Sequence, residues 1–209
     1  RDTIRMRIII SYAKKKSNGK NMEGKTVVIT GATSGLGKAT AHQLAQNGAS
    51  VVIIARSKTK ANVVIKEIKK EGGKGQSIIS DLSSMKDTKE AAYGVAKVVD
   101  RLDVLINNAG AHFPKYIETT DGFESTLALN YLSPFLFTHH LIEQMKQTAS
   151  DYGEARVINI TSIMHKSPIN WNDLNYKNTT YHSNTPDGHP KYPTCGHLKI
   201  PHPSVPISK

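Results

Sequence analysis

The chain has 209 residues, enough for one α/β domain with a sizeable core and too few for two comfortable ones. Its lone Cys195 excludes an intrachain disulfide and suits a reducing, cytoplasmic compartment, and no apolar run approaches the roughly 20 residues of a membrane-spanning helix. Net charge is +11, but seven cations against Asp2 alone stand in residues 1–20, and no aromatic-and-basic reading surface follows, which excludes nucleic acid as the partner.

Composition divides the chain into a basic arm over 1–24, a domain of alternating strand and helix patterns over 25–176 and an irregular Pro/His-rich tail over 177–209. The arm reads as solvated, or as drawn to anionic headgroups at the cytosolic face of an intracellular membrane. Thr26-Val27-Val28-Ile29-Thr30 is a first strand, and a helix follows over 38–47, stopped by Gly48. Val51 to Ala55 is a second strand, with a helix over 58–71 and a stop at Gly72-Gly73. Ser77 to Ser80 and a helix over 85–99 come next, then Val104 to Asn107 as a fourth strand. A long helical pattern covers 122–148, and Pro134 inside it predicts a kink, because its missing N–H interrupts the ladder. Arg156 to Thr161 is a fifth strand. Apolar strands alternating with helices predict a doubly wound parallel sheet of the Rossmann type, ordered 3-2-1-4-5 and buried on both faces. Its ligand crevice should lie beyond the carboxyl ends of strands 1 and 4.

Gly31, Gly35 and Gly37 stand at spacing G-x3-G-x-G between the first strand and its helix. Such a turn lets backbone approach a pyrophosphate, and the helix start adds unpaired N–H groups and positive dipole. Thr30, Ser34 and Leu36 complete the cofactor-binding stretch. A P-loop is excluded, since its glycines enclose four residues before Lys-Ser/Thr, whereas here five intervene and Lys38 precedes Ala39. The second strand ends in Ala55-Arg56-Ser57-Lys58, without the carboxylate that takes an NAD ribose. Arg56 suits a 2′-phosphate, with Lys60 close by and Lys38 able to add charge, so NADP is favoured over NAD.

In chain order, Thr30 to Gly37, Asp81-Leu82, Asn107-Asn108-Ala109-Gly110, Asn130 in Leu129-Asn130-Tyr131 and Ser162 after Val157 to Thr161 resemble the short-chain dehydrogenase/reductase family. Met164-His165 and Ile169 to Asn175 resemble its retinol-dehydrogenase-like branch. The resemblance spans roughly residues 22–176. It implies an NADP-linked oxidoreductase interconverting a hydrophobic, retinol-like alcohol and an aldehyde or ketone. It further implies that Asp81 hydrogen-bonds the adenine with Leu82 packed beside it. Asn107, Asn108, Ala109 and Gly110 would end the fourth strand and stabilise the sheet next to the cofactor, Asn130 would hold a water in a proton relay, and Ser162 would bond the substrate oxygen. The residues alone leave simpler readings open: Asp81 as a helix N-cap, Ser162 as a strand-end hydroxyl, Asn130 as a helix-interior amide bonding locally.

The family's reaction also needs a Tyr followed four residues later by Lys. A phenol of pKa near 10 is only about one part in a thousand ionised at pH 7, and a neighbouring ammonium favours the phenolate. After Ser162 no such pair occurs: Tyr176 is followed by Thr180, Tyr181 by Thr185 and Tyr192 by Gly196. Tyr93/Lys97 and Tyr12/Lys16 have the spacing but stand in the wrong parts of the chain. Tyr192, with Lys199 seven residues on, is the nearest substitute, and the surrounding prolines oppose a helix there. The alternative is therefore a dinucleotide-binding chain without turnover. His189, Cys195, His197 and His202 fit no named zinc finger, so no metal is expected. The sequence sets no oligomeric state.

Overall fold

A computed structural model describes residues 21–161 and 170–178 of the chain. Five runs rich in Val and Ile form a parallel sheet in the order β3-β2-β1-β4-β5, as the sequence predicts. The strands are β1 (Thr26–Thr30), β2 (Ser50–Ala55), β3 (Lys74–Ile79), β4 (Val104–Asn107) and β5 (Arg156–Asn159). Val28 pairs Val52 on one side and Leu105 on the other, which places the order reversal beside β1. Helices α1 (Gly35–Gln46), α2 (Lys58–Lys70) and α3 (Met85–Val98) make the crossovers.

β1 and β2 are buried almost throughout because helices cover both faces. Val27, Ile29, Val51 and Ile53 pack against Ala41, Ala45, Val64 and Ile68 of α1 and α2. Val28, Val52 and Leu105 pack on the other face against Ala92 and Val95 of α3 and Phe137 and Leu141 downstream. Burying a Val or Ile side chain in this way contributes roughly 1.5–3 kcal/mol. The expectation of burial on both faces fails at the rims. β3 and β5 alternate or stay exposed, since among the described residues they are the edge strands of the sheet, and Ile158 and Ile160 lie open.

The pattern over 122–148 is not one kinked helix. Residues 117–125 form a hairpin, Ser125–Leu127 is a single turn (α4), Ala128–Leu132 is a π-helical turn, and α5 runs Ser133–Tyr152. Pro134 sits in the first turn of α5, where a missing N–H is tolerated. The wide turn comes just before it, because the Pro ring crowds the carbonyl four residues back, that of Asn130. β3 is three residues longer at its start than the sequence suggests, and β5 stops at Asn159. Residues 21–24, counted with the arm in the sequence reading, form a turn in which Met22 N–H donates to Asn47 O at 3.1 Å.

Candidate functional site

The glycine turn lies at the carboxyl end of β1, between β2 and β4. Gly31 has φ of 69°, and a Cβ there would stand 2.7 Å from Ala109 Cα, so a side chain is barred twice over. Gly37 is helical, and a Cβ on it would run into Asn108 Nδ2 and come within 2.6 Å of Gly31 O. Gly35 differs. Its φ is 53°, yet a Cβ would meet nothing within 4 Å, so this edge of the turn faces open space. Ser57 and Ser84 cap α2 and α3 through their side chains, accepting from Lys60 N–H and Asp87 N–H. Ser34, exposed and extended before α1, makes no such bond, and the first turn of α1 carries no carboxylate. Amide donors and positive dipole are thus left open beside a glycine cradle, an arrangement that suits a pyrophosphate. The residues fit a dinucleotide.

Thr30 and Asn108 hold this turn in place. Thr30 Oγ1 accepts from Asn108 N–H at 3.0 Å and Ala109 N–H at 2.9 Å. Asn108 Nδ2 donates to Thr30 O at 2.9 Å and Gly31 O at 3.2 Å. The sequence reading gave the stretch containing Asn108 a role in stabilising the sheet beside the cofactor, without naming the partners of Asn108. Asn107 points into the sheet and is 5% exposed. Its Nδ2 donates to Thr138 Oγ1 at 3.0 Å and Asn159 Oδ1 at 2.9 Å, joining β4 to β5 and α5.

Arg56 is exposed directly after β2 and forms no ion pair among the described residues. Lys38 does not join it. Its Nζ lies 2.6 Å from Glu67 Oε2, well along α2 from that helix's start, so its charge is spent between the two helices. The hydrogen bond from Lys38 holds the Glu67 carboxyl below its ordinary value, with His42 adding to the effect.

Asp81 follows β3 and is not the N-cap of α3, a position that Ser84 fills. Its Oδ1 accepts from Ser83 N–H at 3.0 Å and Ser83 Oγ at 2.8 Å, and among the described residues Oδ2 takes no hydrogen bond. Leu82 is buried within the α3 face of the core, which leaves little of it to lie against an adenine. Leu36 is half-buried in the first turn of α1.

Asn130 stands in the π-helical turn and reaches across to the segment after β4. Its Oδ1 accepts from Ala111 N–H at 3.0 Å and its Nδ2 donates to Ala111 O at 2.9 Å. This is no local helix bond; it clasps backbone 19 residues away, beside Gly110, whose Cβ position would lie 3.3 Å from Asn130 Oδ1. Tyr116 follows in the same segment and donates to Glu118 Oε2 at 2.9 Å. Burial, aided by that carboxylate, pushes its phenol up to about 12, the wrong direction for an acid/base tyrosine. Tyr93 and Lys97 lie on the exposed side of α3, where Tyr93 packs on His140 of α5, remote from the crevice.

Ser162 and Tyr192, and the His189, Cys195, His197 and His202 group, lie outside the described residues, as does the basic arm over 1–20. Among the described residues no cluster of three His, Cys, Asp or Glu could hold a metal, and no helix is long and apolar enough to cross a membrane. The sequence reading also missed Asp173 and Asn175 as structural residues, although both fall in the stretch it quoted for the retinol-dehydrogenase-like branch.

An open parallel sheet in this order, with a glycine turn where the order reverses, defines the dinucleotide-binding class of α/β domains. The particular family follows from comparison: the chain matches the short chain dehydrogenase family over residues 25–174 and belongs to it, in the retinol-dehydrogenase-like branch. Human retinol dehydrogenase 11 is 41% identical over 146 residues, 69% of this chain and 45% of that protein. Mouse retinol dehydrogenase 13 is 37% identical over 161 residues, 76% of this chain and 47% of that protein. The chain therefore spans about half the length of the curated relatives it matches. A metagenomic short-chain oxidoreductase in complex with NADP superposes with a TM-score of 0.62 at 32% identity, covering 71% of this chain and 66% of that one. The proteins it matches are named as dehydrogenases and oxidoreductases.

Proposed function

We propose that this chain binds NADP, with NAD the weaker ligand, and serves the interconversion of a hydrophobic alcohol, retinol-like in class, and its aldehyde or ketone. The observation that carries the reading is the uncapped start of α1 beside the Gly31–Gly37 cradle, locked to β4 by Asn108 and flanked by Arg56, which forms no ion pair among the described residues. Arg56 would take the 2′-phosphate through two parallel donors, and no carboxylate stands at the end of β2 to repel it. Asp81 Oδ2 would accept from the adenine amine. Ala109 and Gly110 would border the nicotinamide side, with Asn107 bracing the strand beneath. When bound, the dinucleotide supplies the hydride chemistry.

Asn130 would help order a water for proton transfer, its amide fixing the Ala111 backbone at the crevice mouth. Ser162 would bond the substrate oxygen and Tyr192 would stand in for the acid/base phenol. The complex of the metagenomic oxidoreductase with NADP supports the choice of cofactor, and the names of the retinol dehydrogenases support the substrate class. The basic arm would meet anionic headgroups at the cytosolic face of a membrane.

One observation favours a second reading, binding without turnover: no Tyr after Ser162 precedes a Lys by four residues. Fluorescence titration with NADPH and NADH, followed by reduction of a hydrophobic aldehyde, separates the two. NADPH binding with turnover supports the first, and binding alone the second. Failure to bind either dinucleotide would remove both.

A further inference from the structure

Two segments, one after β4 and one downstream of β5, meet through side-chain hydrogen bonds. One leaves β4 through Gly110, is clasped at Ala111 by Asn130, and folds into the hairpin over 117–125. In that hairpin Thr119 N–H donates to Phe123 O at 2.8 Å and Ser125 N–H to Ile117 O at 2.9 Å. The other, residues 170–178, lies downstream of β5 and is wound on Asp173. That carboxylate is 8% exposed and accepts from Lys177 N–H at 2.8 Å and Asn178 N–H at 2.9 Å.

Asn175 joins the two segments. Its Oδ1 accepts from Glu124 N–H at 2.5 Å and its Nδ2 donates to Gly122 O at 2.8 Å. A single carboxamide thus meets the N–H and C=O on the hairpin's outer edge as an adjoining strand would. The gripped edge is not free to swing. Glu124 is 0% exposed, and its two carboxylate oxygens accept from Thr126 N–H and Leu127 N–H, each at 2.8 Å, at the start of α4. The π-helical turn that carries Asn130 follows at once. At the hairpin's tip Asp121 Oδ2 accepts from Met85 N–H at 2.8 Å, which anchors it to α3 beside Asp81.

We propose that Asn175 is a positioning residue: it straps residues 170–178 to the hairpin and thereby sets the width of the crevice that takes the alcohol or carbonyl. This rests on the reading that the crevice accepts a hydrophobic substrate of that class. Asn175 touches neither cofactor turn nor Arg56, so its loss should alter carbonyl binding and spare dinucleotide binding.

Trp171, the chain's only tryptophan, stands in the strap and is 63% exposed, so its emission reports from the place in question. The full chain is loaded with NADP, which cannot reduce an aldehyde, and titrated with decanal while Trp171 emission is followed. NADPH affinity is measured separately. In the parent chain decanal shifts the emission saturably. Asn175→Ala weakens decanal about tenfold, the loss expected for a pair of backbone-directed hydrogen bonds, with NADPH affinity held within about twofold. Asn175→Asp keeps the acceptor for Glu124 N–H but sets a carboxylate against Gly122 O, so it weakens decanal at least as much. Amide exchange at 122–125 speeds up in both variants. Unchanged decanal affinity in both variants overturns the proposal. So does loss of NADPH affinity alongside it, which makes Asn175 a support of the whole fold. A parent chain that binds NADPH but shows no decanal response overturns the strap alone, and one that binds no NADPH overturns the underlying reading first.

Discussion

Asn108 Nδ2 donates to the carbonyl oxygen of Thr30 at 2.9 Å, joining residues 78 apart in sequence. With Thr30 Oγ1 accepting two amides in return, the end of β4 and the glycine turn after β1 become one rigid piece. Asn108→Ala leaves two partly buried carbonyls without their donor, at a cost of about 1–3 kcal/mol. NADPH affinity should fall about tenfold, since a looser turn must be ordered again on binding. Asn108→Asp should be worse, because it turns a carboxylate toward both carbonyls and toward the pyrophosphate. Urea unfolding and NADPH titration of the two variants check both statements.

That relationship marks how far the sequence could be read. The sheet order was legible because β1, β2 and β4 are short apolar runs separated by helices, and only one handed winding connects them. The turn was legible because three glycines at fixed spacing state a backbone requirement. The partners of Asn108 were not, since those of a carboxamide depend on which strand lies beside it. Nor was the break at 117–132, where helical periodicity continues across a hairpin and a π-helical turn. Lys38 was misassigned for the same reason: its place in the first turn of α1 says nothing about Glu67, a partner that only the packing of α1 on α2 supplies.

Arg56 and Lys38 should therefore behave differently. Arg56→Ala removes a charged, two-donor contact to the 2′-phosphate and should weaken NADPH by about ten- to a hundredfold, with NADH affinity unchanged. Lys38→Ala should leave the NADPH-to-NADH ratio within about twofold, because that ammonium already faces Glu67. Equal loss of both dinucleotides in Arg56→Ala would remove the assignment to the 2′-phosphate. Paired titrations at fixed ionic strength read the ratio directly.

The same α1–α2 seam predicts a dependence on pH. Hydrogen bonds from Lys38 to Glu67 and from His42 to Glu71 hold both carboxyls below their ordinary value of 4.5. The folded chain thus binds these protons more weakly than the unfolded one, so stability rises with pH across this window. The contribution is complete above 4.5, where both carboxyls are charged even when unfolded, and is lost as pH falls through the lower folded values. Both groups are exposed, so salt should shrink the effect. The urea midpoint of Glu67→Gln, followed from pH 7 downward, should show a shallower fall below 4.5 than the parent chain. An identical slope would mean that the pair contributes nothing.

Asp103 offers a test at the opposite end of the strands, where stability can change without touching the cofactor turn. Its carboxylate is 3% exposed and accepts from Thr26 N–H at 2.8 Å, tying the start of β1 to that of β4. Arg101 approaches it with Nη2 at 2.6 Å and with Nε, while the guanidinium lies 3.8 Å from the centre of the Tyr152 ring. Asp103→Ala would leave a partly buried guanidinium and a strand amide without their acceptor, at a cost of about 3–5 kcal/mol. Asp103→Asn keeps an acceptor for Thr26 N–H but loses the charge, and should fall between the two. In whatever fraction remains folded, NADPH affinity should match the parent chain, because the perturbation sits at the amino ends of the strands and the cradle at their carboxyl ends. A loss of affinity larger than the unfolded fraction accounts for would show that the sheet transmits strain along β1 to Gly31.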